Sequence, residues 1–194
     1  MEYKKREEVP NEFKWDLSKM YKNEAEINND INSVNNLTDE ILKFKSHILD
    51  SSDSLYDFLK LTEKQDRILN KLYVYSKMNL DVDTKNNLNK SLKMKIEKLN
   101  DSLSEKYSFI EPEMMAIDYE TVKEYIAENS KLSEYEFYLE NFYRYKAHSL
   151  SKSEEDIYVK ALTAFGNCSE VFSNINNTDI DLGYIKDEDG NIVL

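Results

Sequence analysis

Glycine and proline are scarce in this chain, with 3 Gly and 2 Pro in 194 residues, against ordinary usage of about 7% and 5%. Sheet proteins of this size need many tight turns, and turns favour those two residues, so long helices are the natural reading. One cysteine, Cys168, excludes an internal disulfide. No run of about 18 apolar residues occurs, which leaves no membrane-spanning helix. Basic residues are outnumbered, 26 against 38 acidic, for a net charge of −12. That balance repels phosphate backbones and anionic lipid, so neither nucleic acid nor membrane is expected as a partner. The N-terminus lacks a secretion signal, because Met1 to Arg6 is charged and Val9-Pro10 stands where an apolar core would begin. The expected compartment is the cytoplasm.

What is present is helical periodicity. Residues 1–23 read as an extended N-terminal segment, with Trp15, Leu17 and Tyr21 lying along a neighbouring element. Ile27, Ile31, Val34, Leu37, Ile41, Phe44 and Ile48 keep one helix face, which predicts a single long helix running through Thr38-Asp39. Asp50 to Asp53 is rich in N-cap residues and opens a second helix, to about Leu80, bearing Leu55, Phe58, Leu59, Leu69, Leu72, Tyr73 and Tyr75. A third, from the Asp81–Thr84 cap cluster to about Ile110, carries Leu88, Leu92, Met94, Ile96, Leu99, Leu103 and Tyr107. Pro112 then starts a short helix or kinks the old one. Asp118 caps a helix from Tyr119 to about Glu128, and another runs from about Ser133 to Lys146. Ser151 with Glu154 gives a capping-box spacing, Gly166 suits the end of that helix, and Ser169 opens a last short one. The expected class is all-α, about six or seven helices over residues 24–178. A β-hairpin is expected over 179–194, where Ile180, Leu182 and Tyr184 alternate with polar residues before Asp187-Glu188-Asp189-Gly190. The chain stops in mid-strand, which suggests an artificial boundary rather than a natural terminus.

The residues carry little chemistry of their own. A His-Glu-x-x-His zinc site needs two imidazoles one helical turn apart with a carboxylate between them. The two histidines, His47 and His148, are far apart and neither precedes Glu. No catalytic or metal residue is therefore assigned, and no cofactor is expected in the chain itself. His47 reads as solvated, and His148 as a structural hydrogen bonder. Cys168 lies before a helix start, which can lower a thiol pKa, but no histidine is near it in sequence. Asp187-x-Asp189-Gly190 fits a turn better than a calcium loop, whose glycine comes sixth. The aromatic run Tyr135, Phe137, Tyr138, Phe142, Tyr143, Tyr145 is the one unusual feature. Rings with hydroxyl rims suit an extended peptide, which makes Tyr135, Tyr138, Tyr143 and Tyr145 substrate-channel candidates. Core packing is the competing explanation.

Several ordered segments resemble the N-terminal domain of oligoendopeptidase F, in the thimet-oligopeptidase-like zinc peptidases. They are Trp15-Asp16-Leu17 after Pro10, Leu72-Tyr73-Val74-Tyr75-Ser76, Asp81 to Thr84, and Phe109-Ile110-Glu111-Pro112-Glu113. Arg144 to Ser151 with Glu154 and Glu155 is the most specific; Phe172-Ser173, Asn176 to Asp179 and Ile185 to Gly190 follow. The zinc motif of that family is missing here. The resemblance implies a cytosolic zinc metalloendopeptidase acting on oligopeptides, with zinc held by a separate catalytic domain. This part would help to enclose the channel and be inactive alone. The alternative is a stand-alone helical adaptor that binds partner helices through its apolar stripes.

Overall fold

A computed structural model describes residues 8–145 and, beyond them, 157–158, 161–162, 171–176, 180, 183, 185–190 and 192–193. The chain divides into two compact units, Met1–His148 and Ser149–Leu194. The first unit holds helices α1 (Glu24–Ile41), α2 (Ser52–Val82), α3 (Asn87–Lys106), α4 (Ile110–Met114), α5 (Tyr119–Glu128) and α6 (Glu136–Tyr145). The expected all-α class is found.

The starts of α1, α2 and α5 are set by local caps. The side chains of Asn23, Ser51 and Asp118 accept from the N–H groups of Glu26 (3.1 Å), Ser54 (3.1 Å) and Thr121 (2.9 Å). These bonds satisfy donors that a helix start leaves without partners. Pro112 occupies the first turn of α4, where its missing N–H costs nothing.

Two apolar clusters form the core. One joins Ile41, Ile48, Leu55, Phe58 and Leu59 to Met114, Val122, Leu132, Leu139 and Tyr143. The other joins Tyr21, Ile27, Val34 and Leu72 to Ile96 and Leu103. Tyr107 packs against both.

Several expectations are corrected. The first helix does not run to Ile48. It ends at Ile41, a 3-10 turn covers Leu42–Phe44, and Ser46 takes φ +66°. Ile48 still reaches the core, through that bend. As expected, the helix runs through Thr38-Asp39, where the Thr38 hydroxyl donates back to the Val34 carbonyl (2.8 Å). A 3-10 stretch over Ser130–Tyr135 precedes α6, with Leu132 buried beneath it. Leu88 and Met94 are exposed, since the buried seam of α3 runs through Ile96 and Leu103. Tyr73 is likewise nearly half exposed on the flank of α2.

The N-terminal segment contains 3-10 turns at Asn11–Phe13 and Leu17–Lys19, so it is not simply extended, and Trp15 is 60% exposed. Its anchor is Tyr21. The ring meets Tyr75 edge-on at 4.9 Å, its hydroxyl donates to Asp30 (2.7 Å), and Lys71 Nζ sits 3.9 Å from the ring centre.

In the second unit, residues 157–158, 161–162 and 171–174 are helical. The expectations for His148, Gly166 and Cys168 lie outside the described residues. Strands β1 (Ile185–Lys186) and β2 (Ile192–Val193) pair antiparallel around Gly190 (φ +80°). Two residues per strand do not amount to the hairpin expected over 179–194. Ile180 and Ile192 are exposed rather than joined in an apolar face, and so short a pairing has little stability of its own.

Candidate functional site: an open aromatic cleft on the second helix

Helix α2 has 31 residues, about 46 Å at 1.5 Å per residue, with no Gly or Pro to interrupt it. Its middle lies between the two apolar clusters to which it contributes. Residues 59, 62, 63, 66 and 70 follow one another at helical spacing there, which puts Leu59, Thr62, Glu63, Asp66 and Asn70 along one strip. That strip is the floor of a cleft of about 480 Å³. Tyr107, Ile110, Tyr135 and Tyr138 from outside α2 complete its lining.

Glu63 organises the rim. Its carboxylate accepts from Tyr135 Oη (2.7 Å), Lys60 Nζ (3.1 Å), and Arg67 through Nη2 (2.7 Å) and Nε (3.0 Å). The Tyr135 hydroxyl, then Arg67 and Lys60, hold its carboxyl at about 2, well under its ordinary 4.5. In return, burial and then the Glu63 charge push the Tyr135 phenol up to about 12. Arg67 is thereby committed to Glu63. Asp66 is different: its carboxylate has no ion-pair or hydrogen-bond partner among the described residues, and burial pushes its pKa up.

Beneath the cleft lies a buried polar network. Gln65, 1% exposed, donates to the Val34 carbonyl (3.0 Å) and the Thr38 hydroxyl (2.9 Å), and accepts from Tyr107 Oη (2.8 Å). Gln65 stands seven residues from both Phe58 and Leu72, on the apolar face of α2. A polar side chain at that register was the sequence signal for it. Glu63 and Asp66 gave none, because charged residues at helical spacing usually face water.

The four candidate tyrosines separate. Tyr135 and Tyr138 share the cleft. Tyr143 is 7% exposed in the core, its hydroxyl donating to the Met114 carbonyl and its ring edge-on to Phe142 at 5.4 Å. Tyr145 is 61% exposed at the end of α6, with the Arg144 guanidinium 5.4 Å from its ring centre. Phe137 is exposed as well. A helix of 3.6 residues per turn spreads so dense a run over several faces.

His47 does not join a metal-binding group. Its Nδ1 lies 2.7 Å from Asp50 on the surface. Among the described residues no three His, Cys, Asp or Glu side chains are placed to hold a metal ion, so the residues described do not fit a zinc site. Among the described residues, also, no helix is long and apolar enough to cross a membrane.

Known oligopeptidases are similar to this chain in sequence and in fold. The family model described as Oligopeptidase F matches residues 113–181. The chain is 32% identical over 186 residues to Oligopeptidase PepF of Bacillus subtilis, covering 96% of this chain and 28% of that protein. It is 32% identical over 194 residues to the plasmid oligoendopeptidase F of Lactococcus lactis subsp. cremoris, covering 98% of this chain and 32% of the relative. The crystal structure of oligoendopeptidase-F from Enterococcus faecium superposes on 87% of this chain, and on 32% of its own, with a TM-score of 0.74 at 25% identity. These matches make the chain a relative of the N-terminal domain of oligoendopeptidase F. It spans about 30% of the length of these relatives.

Proposed function

We propose that the chain is the N-terminal helical domain of an oligoendopeptidase F-like zinc metalloendopeptidase that hydrolyses short peptides in the cytoplasm. In this reading the domain helps to enclose the substrate channel, and the zinc site belongs to a catalytic domain with which it packs. The observation that carries it is the likeness to oligopeptidases along 96% of the chain, at only 28% of the relative's length. The same end-to-end likeness leaves the adaptor alternative without particular support.

The bound metal would supply an activated water for attack on the peptide carbonyl. The residues of this chain would bind and exclude. Tyr135 and Tyr138 would present their rings, and Tyr138 its hydroxyl, to an extended chain. A channel about one extended chain wide would keep out a folded protein, which would have to unfold at a cost of about 5–15 kcal/mol. Residues 179–194 would complete their pairing against strands of the catalytic domain, which would cover an otherwise open edge.

A quenched nonapeptide incubated with this chain and zinc tests the division of labour. No metal-dependent turnover is expected from the chain alone, whereas the whole protein should cleave the same peptide and lose that activity to a chelator. Chelator-sensitive cleavage by the chain itself, or none by the whole protein, would overturn the proposal.

A further inference from the structure

We propose that the α2 cleft is a subsite for a basic side chain of a bound peptide, with the Asp66 carboxylate receiving its charged end. This rests on the reading of the cleft as facing peptide. Three observations converge on it. First, the anionic group of Glu63 is already matched by Lys60 and Arg67, and Arg67 has both Nε and Nη2 turned to Glu63. Among the described residues Asp66 is left as the cleft's unmatched charge. An accessible carboxylate beside aromatic side chains gains from a cation.

Second, the walls suit what carries such a cation. The rings of Tyr107 and Tyr138 attract an ammonium or guanidinium through the ring quadrupole, and Ile110 offers apolar surface to a methylene stem. Burial and the Asp66 charge both push the Tyr138 phenol up, so it stays a neutral ring facing that carboxylate. Third, the remaining hydroxyl of the floor is not competing for Asp66. Thr62 Oγ1 donates to the carbonyls of Leu59 (2.9 Å) and Phe58 (3.1 Å). A volume of about 480 Å³ accepts one lysine or arginine side chain with room for backbone. The net charge of −12 favours the approach of cations generally, while the cleft supplies the local preference.

The test is an amide-resolved NMR titration of the full 194-residue chain with Ac-Ala-Ala-Lys-Ala-Ala-NH2 and with the same peptide carrying norleucine in place of lysine. The lysine peptide is expected to bind about tenfold more tightly at low salt, with shifts centred on Asp66, Arg67 and Tyr138. Asp66→Asn, which keeps the shape, should erase that difference and leave norleucine binding unchanged. Tyr138→Leu should weaken the lysine peptide more than the norleucine one. Equal binding of the two peptides, binding of neither, or a preference that survives in Asp66→Asn overturns the inference. So does tighter binding of the norleucine peptide when its N-terminus is left free, since the terminal amine would then be the ligand. The outcome is separable from the enzymatic proposal: a lysine preference can persist when the whole protein shows no chelator-sensitive cleavage, and the converse.

Discussion

Tyr107 Oη donates to Gln65 Oε1 at 2.8 Å, joining the end of α3 to the middle of α2 through a side chain that is otherwise sealed from solvent. Both Gln65 hydrogen-bond directions are used, since its amide nitrogen reaches α1 at Val34 and Thr38. Tyr107→Phe leaves that carbonyl oxygen buried without a donor and should cost about 1–3 kcal/mol. Gln65→Leu removes all these bonds while keeping bulk, but leaves the Tyr107 hydroxyl without its acceptor. In a double-mutant cycle by urea unfolding, the paired Gln65→Leu, Tyr107→Phe variant should be more stable than the two single losses added together. Strict additivity would show that the network is not a unit.

Ser46 holds φ +66° while its N–H donates to Glu113 Oε1 at 2.7 Å. The left-handed backbone costs a residue with a Cβ about 1–2 kcal/mol, whereas glycine is free of it and loses part of the gain as unfolded-chain entropy. Ser46→Gly should therefore stabilise the chain by roughly 0.5 kcal/mol. Glu113→Ala should destabilise it by about 1 kcal/mol. Thermal midpoints of the two variants should move in opposite directions.

The Glu63–Tyr135 pair predicts a stability profile with two shoulders. Glu63 has its carboxyl lowered to about 2 from 4.5 in the folded chain. Its contribution is present above the unfolded value and is lost as pH falls from about 4.5 towards 2. The Tyr135 phenol is raised to about 12 from 10, so its contribution is present below pH 10 and lost as pH rises towards 12. Glu63→Gln should lose less stability than the parent between pH 6 and pH 3. Tyr135→Phe should lose less between pH 10 and pH 12. Denaturation midpoints at those values check both, and unchanged slopes in the variants would contradict them.

Tyr138 and Tyr143 separate binding from packing. Tyr143→Ala empties a core position and should cost about 3–5 kcal/mol, as for other large aromatic deletions. Tyr138, 54% exposed, should change stability by less than about 1 kcal/mol when replaced by alanine. In the whole protein Tyr138→Ala is expected to raise KM severalfold with little effect on kcat. Unfolding curves and steady-state kinetics of the two variants give the comparison. Destabilisation by Tyr138→Ala without any change in KM would return it to a packing role.

The sequence by itself determined the all-α class, the cap positions around Ser51 and at Asp118 and the likeness to oligoendopeptidase F, because capping, helical period and motif order are written in residues close to one another along the chain. The ends of helices bent by distant partners were not legible. Nothing near Ser46 announces that Glu113, 67 positions away, will hold its N–H and turn the chain after Ile41. The aromatic run was visible as composition, yet only packing decided that Tyr143 fills the core while Tyr135 and Tyr138 line the cleft. Asp66 looked like any solvated acid. Its setting depends on rings carried by α3 and α6, and long-range closure of that kind is a property of the folded surface that no local pattern encodes.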